Sequence, residues 1–271
     1  MTTASPTLQT SEPLLRAEAS GIAILTLNRP ASRNALSEAM LAALGSALGT
    51  IAEDRAIRAV ILAANGPAFS AGHDLKELTA RRADADGGRA YFYQIMQACS
   101  AVMQMIVRLP QPVIAAVEGV ATAAGCQLVA SCDLAVASQS ARFATPGVNI
   151  GLFCSTPMVA LSRNVPRKLA MEMLLTGDDV SADEAGRIGL VNRVVERGAA
   201  LAEAEAMARK IASKAGAVIK LGKEAFYRQL EMDLANAYAY TAEVMVENML
   251  SADAEEGLCA FIEKRDPRWR S

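Results

Sequence analysis

Short apolar runs alternate with amphipathic stretches over the first two thirds of the chain. The runs have the length and the β-branched content of buried strands, and they lie at 22–27, 60–63, 113–117 and 134–137. Between them, apolar residues recur every three or four positions, which predicts helices. One helix is predicted after Ser37, whose hydroxyl can cap it; others are predicted at 89–108, before Pro110, and at about 125–131. This alternation predicts an α/β fold with a largely parallel sheet.

The pattern changes after Arg167, where almost every predicted element is a helix. Ser181 and Glu184 have the spacing of a capping box, and a strand is predicted at 190–195. The remaining predicted helices are 167–175, 200–214, 218–230, 234–250 and 253–264. No repeat or low-complexity linker interrupts the chain. We therefore predict an α/β core at 1–199 that holds the ligand pocket, followed by a helical region at 200–271.

Charge and composition exclude several classes of function. The chain has 27 basic and 29 acidic residues, so no net field favours nucleic acid. Its single histidine, His73, excludes mechanisms that need two imidazoles. The five cysteines form no C-x-x-C pair, which predicts reduced intracellular thiols and no metal site.

Neither a secretion signal nor a membrane span is predicted. Residues 1–15 are rich in serine and threonine and lack an apolar segment. The most apolar stretch, 113–137, is interrupted by Glu118, Gln127 and Asp133, which a bilayer would have to accommodate. We expect a soluble, cytoplasmic protein without a nucleic-acid or membrane partner.

Three segments have the composition of a ligand site: 69–77, 119–128 and 143–151. Small residues around Gly72 allow a ligand to approach the backbone. The small-residue loop before Gly125 opens a helix, whose first N–H groups are free donors. Taken singly, the first segment is more typical of a tight strand-to-helix turn than of a ligand loop, and the second is equally typical of close helix–strand packing. The third is irregular, as a pocket wall would be.

Together, in this order and spacing, the segments resemble the crotonase (enoyl-CoA hydratase/isomerase) superfamily. The resemblance runs from about Ile22 to Trp269, and 28–36 and 261–265 fit it as well. The amino-acid sequences of the three segments are most similar to the subgroup of enoyl-CoA hydratase domain-containing proteins of type 3 and its bacterial relatives. The resemblance implies a spiral of ββα units and a helical C-terminal trimerisation region, assembled as a homotrimer or a dimer of trimers.

The resemblance also implies an acyl-CoA ligand, with coenzyme A as part of the substrate and no permanently bound cofactor. Two backbone N–H groups would form an oxyanion hole for a thioester enolate, and they fall on His73 and Ala124. The imidazole of His73 could act as a general base, but we expect it to line or close the pocket. Because the donors belong to the backbone, Ala123 and Ala124 can stand where relatives have glycines.

Two positions depart from the family pattern. Hydratases of this family hold water between two glutamates, and Gln127 and Gly147 stand at those positions here. An amide does not exchange a proton near neutral pH, and glycine has no side chain, so hydration is expected at or near background. A positive φ at Gly147 would further resist a side chain there. Cys154 and Ser155 lie where some relatives have a nucleophile, but neither is a carboxylate.

The remaining predicted site residues surround this centre. Arg33 and Lys76 lie where relatives approach the nucleotide phosphates, although either could be a solvated surface charge, and Lys264 is expected to reach a neighbour's ligand. Asp74 is expected to cap the loop, and Glu118 to be a loop-stabilising charge. The other residues predicted to line the ligand are Ala35, Ala71, Gly72, Leu75, Ala123, Cys154 and Ser155.

The sequence therefore predicts an acyl-CoA-binding protein of the crotonase type without standard hydratase activity. Two functions stay open. One is an enzyme acting on a thioester without paired glutamates, such as an isomerase, a thioesterase or another lyase. The other is a non-catalytic acyl-CoA carrier or sensor.

Overall fold

Two sheets organise the chain in the computed structural model, which describes residues 12–270. The strands are β1 (Leu14–Ala19), β2 (Ile22–Leu27), β3 (Ala59–Ala64), β4 (Ala68–Ser70), β5 (Val113–Val117), β6 (Val120–Thr122), β7 (Leu134–Ser138), β8 (Arg142–Ala144), β9 (Val180–Ser181) and β10 (Arg193–Val195). The helices are α1 (Glu38–Glu53), α2 (Leu75–Ala80), α3 (Arg89–Arg108), α4 (Ala124–Ser131), α5 (Pro157–Asn164), α6 (Arg167–Thr176), α7 (Ala182–Arg187), α8 (Ala200–Ala212), α9 (Gly216–Gln229), α10 (Leu234–Met249) and α11 (Ala252–Glu263).

The larger sheet has six strands in the order β1-β2-β3-β5-β7-β10. Only β1 is antiparallel to its neighbour, and the other pairs are parallel. Both faces of β3 are covered. Val60 and Leu62 pack in the main core with α1 and α3, whereas Ile61 faces a second cluster with Ala204 and Ala208 of α8. Burial on both faces explains why the central strands are continuous apolar runs in the sequence.

The smaller sheet has four short strands in the order β4-β6-β8-β9. The strands β4, β6 and β8 run parallel, and β9 is antiparallel to β8. Sequence periodicity predicts none of them, because two or three residues are too few to establish a period of two. This sheet nevertheless carries the three segments that were singled out from the sequence.

The α/β fold predicted from the sequence is confirmed, and several elements begin where their caps predict. Ser37 accepts a hydrogen bond from the Met40 amide at the start of α1, and Ser181 accepts one from the Glu184 amide at the start of α7. The predicted strand at 190–195 is shorter, because only 193–195 pair with β7. The strand β1, the helix α5 and the small sheet were not predicted.

The predicted division at residue 199 falls just before α8, a helix that packs against the six-stranded sheet. Ala200, Ala204 and Ala208 recur every four residues, so one face of α8 packs against β3, β5 and β7. Helices α10 and α11 instead carry many exposed apolar side chains, among them Leu234, Tyr238, Met249 and Phe261. The role of the C-terminal region in oligomerisation stays a prediction.

Candidate functional site

The carboxyl ends of β4, β6 and β8 meet at one edge of the small sheet, because the three strands are parallel. Residues 71–73 follow β4, residues 123–127 follow β6, and residues 145–147 follow β8. Ligands of open parallel sheets bind outside the carboxyl ends of the strands. These three stretches and Thr122, the last residue of β6, are called the carboxyl edge from here on, and they bring parts of all three predicted segments together.

Gly72 is the point of closest approach between two of these strand ends. Its φ is +85°, and a Cβ atom there would lie 3.0 Å from Ala123 Cβ and 3.2 Å from the Ala124 nitrogen. Side chains of L residues rarely adopt that φ, so glycine serves both the conformation and the contact. The backbone at His73 is thereby held beside the first residue of α4.

The amides of His73 and Ala124 are both unpaired among the described residues. Ala124 is the first residue of α4, and no side chain caps this helix. Two other amides near the start of α4 are paired: the Ala123 amide donates to the Ala144 carbonyl at 2.9 Å, and the Gln127 amide donates to the Ala123 carbonyl at 3.0 Å. Within residues 12–270, neither the His73 nor the Ala124 amide donates a hydrogen bond. The carboxyl edge therefore offers two neighbouring N–H donors, one at the positive end of a helix.

A preceding loop, 30–37, fixes the first of these strand ends. The Nδ2 atom of buried Asn34 donates to the Ala68 carbonyl at 2.8 Å, and Ser70 Oγ donates to the Asn34 carbonyl at 2.9 Å. The Leu36 amide donates to the Gly72 carbonyl at 2.8 Å. In a trans peptide unit the carbonyl and the next N–H point in opposite directions. Because the Gly72 carbonyl points towards the loop, the His73 N–H points away from it. Sequence reasoning noted this loop only through its family resemblance.

The imidazole of His73 is largely buried and does not use its hydrogen-bonding capacity. Neither Nδ1 nor Nε2 has a partner of good geometry in the described part of the chain. Burial lowers the pKa of His73, and the backbone of Leu36 opposes a smaller part of that shift. The ring is therefore neutral near pH 7.

Three further polar side chains at the carboxyl edge are buried without a partner. They are Thr122 Oγ1, Gln127 Oε1 and Thr145 Oγ1, counted over residues 12–270. Buried polar atoms are normally paired, so a cluster of unpaired ones marks a place for a ligand or water. Thr122 and Thr145 were missed from the sequence, although each is the polar residue in an otherwise small or apolar stretch.

Gly147 does not have the positive φ that was expected for it. A side chain there is resisted for a steric reason instead. A Cβ on Gly147 would lie 2.6 Å from the Leu152 carbonyl oxygen and 2.9 Å from Cys154 Sγ. The Leu152 amide donates to the Gly147 carbonyl at 2.9 Å, so segment 151–154 folds back over the glycine. The expectation of a positive φ is wrong, and backbone packing takes its place.

The remaining predicted residues lie around this centre. The Arg33 carbonyl accepts a hydrogen bond from the Ala71 amide, which ties both to the loop, and the Arg33 side chain is exposed. Asp74 caps α2 by accepting a bond from the Lys76 amide at 3.0 Å, as expected. Ala35 is buried, and the side chains of Leu75 and Lys76 are exposed.

Two predicted residues stand apart from the carboxyl edge. Ser155 is exposed and donates to the Phe153 carbonyl. Lys264 ends α11 in a left-handed conformation, and no hydrogen bond or ion pair among the described residues connects its side chain with the edge. Glu118 has the stabilising role expected of it, because its carboxylate accepts bonds from the Gly198 and Ala200 amides before and at the start of α8.

A cleft of about 720 Å³ lies elsewhere, between α1 and α3, and of the predicted segments only Glu77, at the end of 69–77, lines it. Its polar lining residues include Glu38, Glu77 and Tyr91. Because the free amides and most of the unpaired buried side chains lie at the carboxyl edge, we take the edge and not this cleft as the candidate site. Over the described residues, no group of three or more potential ligands could hold a metal ion. Among the helices of residues 12–270, none is long and apolar enough to cross a bilayer.

Comparisons with known proteins identify the family of this chain. The enoyl-CoA hydratase/isomerase family profile matches residues 17–271. Rat enoyl-CoA hydratase domain-containing protein 3, mitochondrial, is 51% identical over 268 residues, which are 98% of this chain and 88% of the relative. The mitochondrial location is stated of that relative, and a cytoplasmic location for this chain stays a prediction.

Solved structures give the same answer for the fold. An enoyl-CoA hydratase from Mycobacterium smegmatis is 57% identical, has a TM-score of 0.91, and covers 96% of this chain and 99% of its own. Human enoyl-CoA hydratase domain-containing protein 3 is 50% identical, with a TM-score of 0.90 and coverages of 95% and 100%. The resemblance seen in the sequence is confirmed: this chain belongs to the enoyl-CoA hydratase/isomerase, or crotonase, family.

Proposed function

We propose that this chain binds acyl-CoA thioesters at the carboxyl edge, with the thioester oxygen between the amides of His73 and Ala124. The observation that carries the proposal is that these two amides are neighbours and that neither donates a hydrogen bond in the described part of the chain. A preorganised donor aimed at a developing oxyanion is worth roughly 3–4 kcal/mol. The pair would therefore stabilise a thioester enolate.

The same site is unsuited to hydration. Water addition needs a base and an acid on either side of the reacting carbon. Gln127 offers a neutral amide, and the space beside Gly147 is filled by the Leu152 carbonyl and the Cys154 sulfur. Hydration of crotonyl-CoA is expected at or near the uncatalysed rate.

Two activities fit a site with an oxyanion hole but no carboxylate pair. The first is an enzyme of the isomerase, thioesterase or lyase type, whose reaction does not need the acid and base that the two glutamates supply in hydratases. The second is a carrier or sensor that holds acyl-CoA without turnover. The neutral lining of Thr122, Gln127 and Thr145 favours binding over proton transfer. Coenzyme A enters as part of the ligand, and its phosphates would meet Arg33 and Lys76 at the exposed rim.

Calorimetry and mass spectrometry test the proposal together. Titration with butyryl-CoA, which has no double bond, should show binding that weakens with salt because exposed ion pairs are screened. Overnight incubation with a panel of acyl- and enoyl-CoAs then separates the two activities, since turnover indicates the enzyme and unchanged ligand indicates the carrier. Absence of butyryl-CoA binding at low salt would contradict the proposed acyl-CoA site. Hydration of crotonyl-CoA at many turnovers per second would contradict the claim that the site is unsuited to hydration.

A further inference from the structure

The sulfur of Cys154 lies where a side chain on residue 147 would begin. Its Sγ atom is 2.9 Å from the position of a Cβ on Gly147, which belongs to the carboxyl edge. The side chain is 8% exposed, so it is enclosed without being sealed off. A thiol therefore lies beside the backbone of residue 147, at the carboxyl edge.

A second observation points to a ligand at the carboxyl edge. Gln127 is 5% exposed, and its Oε1 atom has no partner among the described residues. It lies one turn after Ala123, the residue that Gly72 touches. Helical side chains lean towards the helix N-terminus, so the amide of Gln127 is directed towards the end of α4 where the Ala124 amide is free. Thr145, fully buried at the end of β8, adds a second unpaired oxygen.

We propose that Cys154 captures α,β-unsaturated acyl-CoA thioesters by covalent addition, an inference that rests on the proposed acyl-CoA site. The sulfur forms a bond to C3 of the acyl group, and the electron pair of the C2–C3 double bond moves towards C1. The negative charge falls on the thioester oxygen, between the amides of His73 and Ala124. The thiol, a far stronger acid than water, loses its proton to solvent as the bond forms, and C2 takes a proton from solvent. No other group leaves, and nothing is oxidised or reduced, so the product has the combined atomic composition of both partners.

The environment of the sulfur makes this capture selective. Burial raises the pKa of Cys154, although the Gly147 backbone opposes part of the shift. The protonated thiol is a weak nucleophile, so ordinary electrophiles should react first at exposed Cys259. Only an acceptor whose oxygen is held by the two amides is activated enough to react at Cys154. Burial also raises the pKa of Cys99 and of Cys126 to about 12, which leaves both inert.

Intact-protein mass spectrometry of the full chain with crotonyl-CoA tests the proposal. We expect a gain equal to the whole mass of crotonyl-CoA, one per chain, and no gain with saturated butyryl-CoA. Trypsin cleaves after Arg142 and Arg163, and Cys154 is the only cysteine of the peptide between them, so the adduct should map to 143–163. Cys154→Ser should lose the adduct, and Cys259→Ser should keep it.

The outcomes separate this inference from the function on which it rests. Butyryl-CoA binding without a crotonyl-CoA adduct overturns the capture and leaves the acyl-CoA site standing. Adducts spread over several cysteines, or confined to Cys259, overturn it as well. Failure of butyryl-CoA to bind removes the acyl-CoA site itself. Should Cys154→Ser melt below the wild type, Cys154→Ala and the peptide map of the wild type decide the question.

Discussion

Lys223 Nζ lies 2.6 Å from Asp133 Oδ2, and the pair joins α9 to the base of the six-stranded sheet. The ammonium also donates to the Ile106 and Gln111 carbonyls at 3.0 Å, and the Tyr227 hydroxyl donates to Asp133 Oδ1 at 2.9 Å. Both charged side chains are nearly buried, with exposures of 8% and 14%. Their hydrogen bonds are thus well satisfied, which a buried ion pair needs.

Removing one partner of this pair should be costly. Lys223→Met leaves the Asp133 carboxylate buried without its counter-charge, and we expect the free energy of unfolding to fall by about 3–5 kcal/mol. Arg163→Met, which breaks an ion pair with Glu231 whose side chains are 58% and 68% exposed, should cost no more than about 1 kcal/mol. Urea denaturation at one protein concentration measures both. Equal losses in the two variants would contradict this account.

The pKa of His73 predicts a specific pH dependence. Because burial lowers the folded-state pKa below its ordinary value of 6.5, the unfolded chain binds a proton first as pH falls. The contribution of His73 to stability is therefore present above about pH 6.5 and is lost as pH falls through the lowered folded-state pKa. His73→Gln, which keeps the backbone amide, should remove this part of the acid destabilisation. Since the chain has one histidine, proton NMR follows its titration directly, and a midpoint at or above about 6.5 would refute the prediction.

Ala123 should prefer to be glycine. Its φ of 52° and ψ of −119° are unfavourable for a residue with a side chain. We expect Ala123→Gly to stabilise the fold by about 1 kcal/mol, because relief of strain outweighs the added freedom of the unfolded chain. Ala206→Gly, the same exchange on the exposed face of α8, should destabilise by about 1 kcal/mol. If the melting temperature changed in the same direction for both variants, the proposed backbone strain at Ala123 would be contradicted.

Gly147 should tolerate no side chain. Gly147→Ala places a Cβ 2.6 Å from the Leu152 carbonyl oxygen, and we expect a loss of about 1–3 kcal/mol. At Gly45 in α1 nothing lies within 4 Å of an added Cβ, so Gly45→Ala should gain about 0.5–1 kcal/mol. For the same reason, Gln127→Glu with Gly147→Glu should not create a hydratase unless segment 151–154 moves. A well-folded double variant that hydrates crotonyl-CoA would show that segment 151–154 can move to admit the side chain at residue 147.

The exposed apolar side chains of α10 and α11 should be covered by another copy of the chain. Leu234, Tyr238 and Phe261 are 74%, 71% and 84% exposed, which is unusual for the surface of a protein that stays monomeric. We expect a trimer or hexamer by light scattering. Phe261→Asp should lower the measured mass, whereas Phe261→Leu, which stays apolar, should not. A wild-type monomer at micromolar concentration would rule this assembly out.

Local interactions determined much of what the sequence predicts. The helix α3 spans the predicted residues, and α1 begins after Ser37, because periodicity and caps depend on neighbours within one or two turns. Likewise β2 and β5 match their apolar runs, since strands buried on both faces need side chains that are apolar throughout. The family and the departures at Gln127 and Gly147 were also legible, because they depend only on residue identity and order.

Tertiary structure decided what depends on distant segments meeting. Three-residue strands carry no period, yet their parallel pairing is what brings Gly72 beside Ala124. The buried role of Asp133 needs Lys223, which is 90 residues away. Sequence alone suggested that backbone conformation makes residue 147 a glycine, whereas the Leu152 carbonyl and the Cys154 sulfur exclude a side chain there. Such contacts are set by how the chain packs back on itself, and no local pattern encodes them.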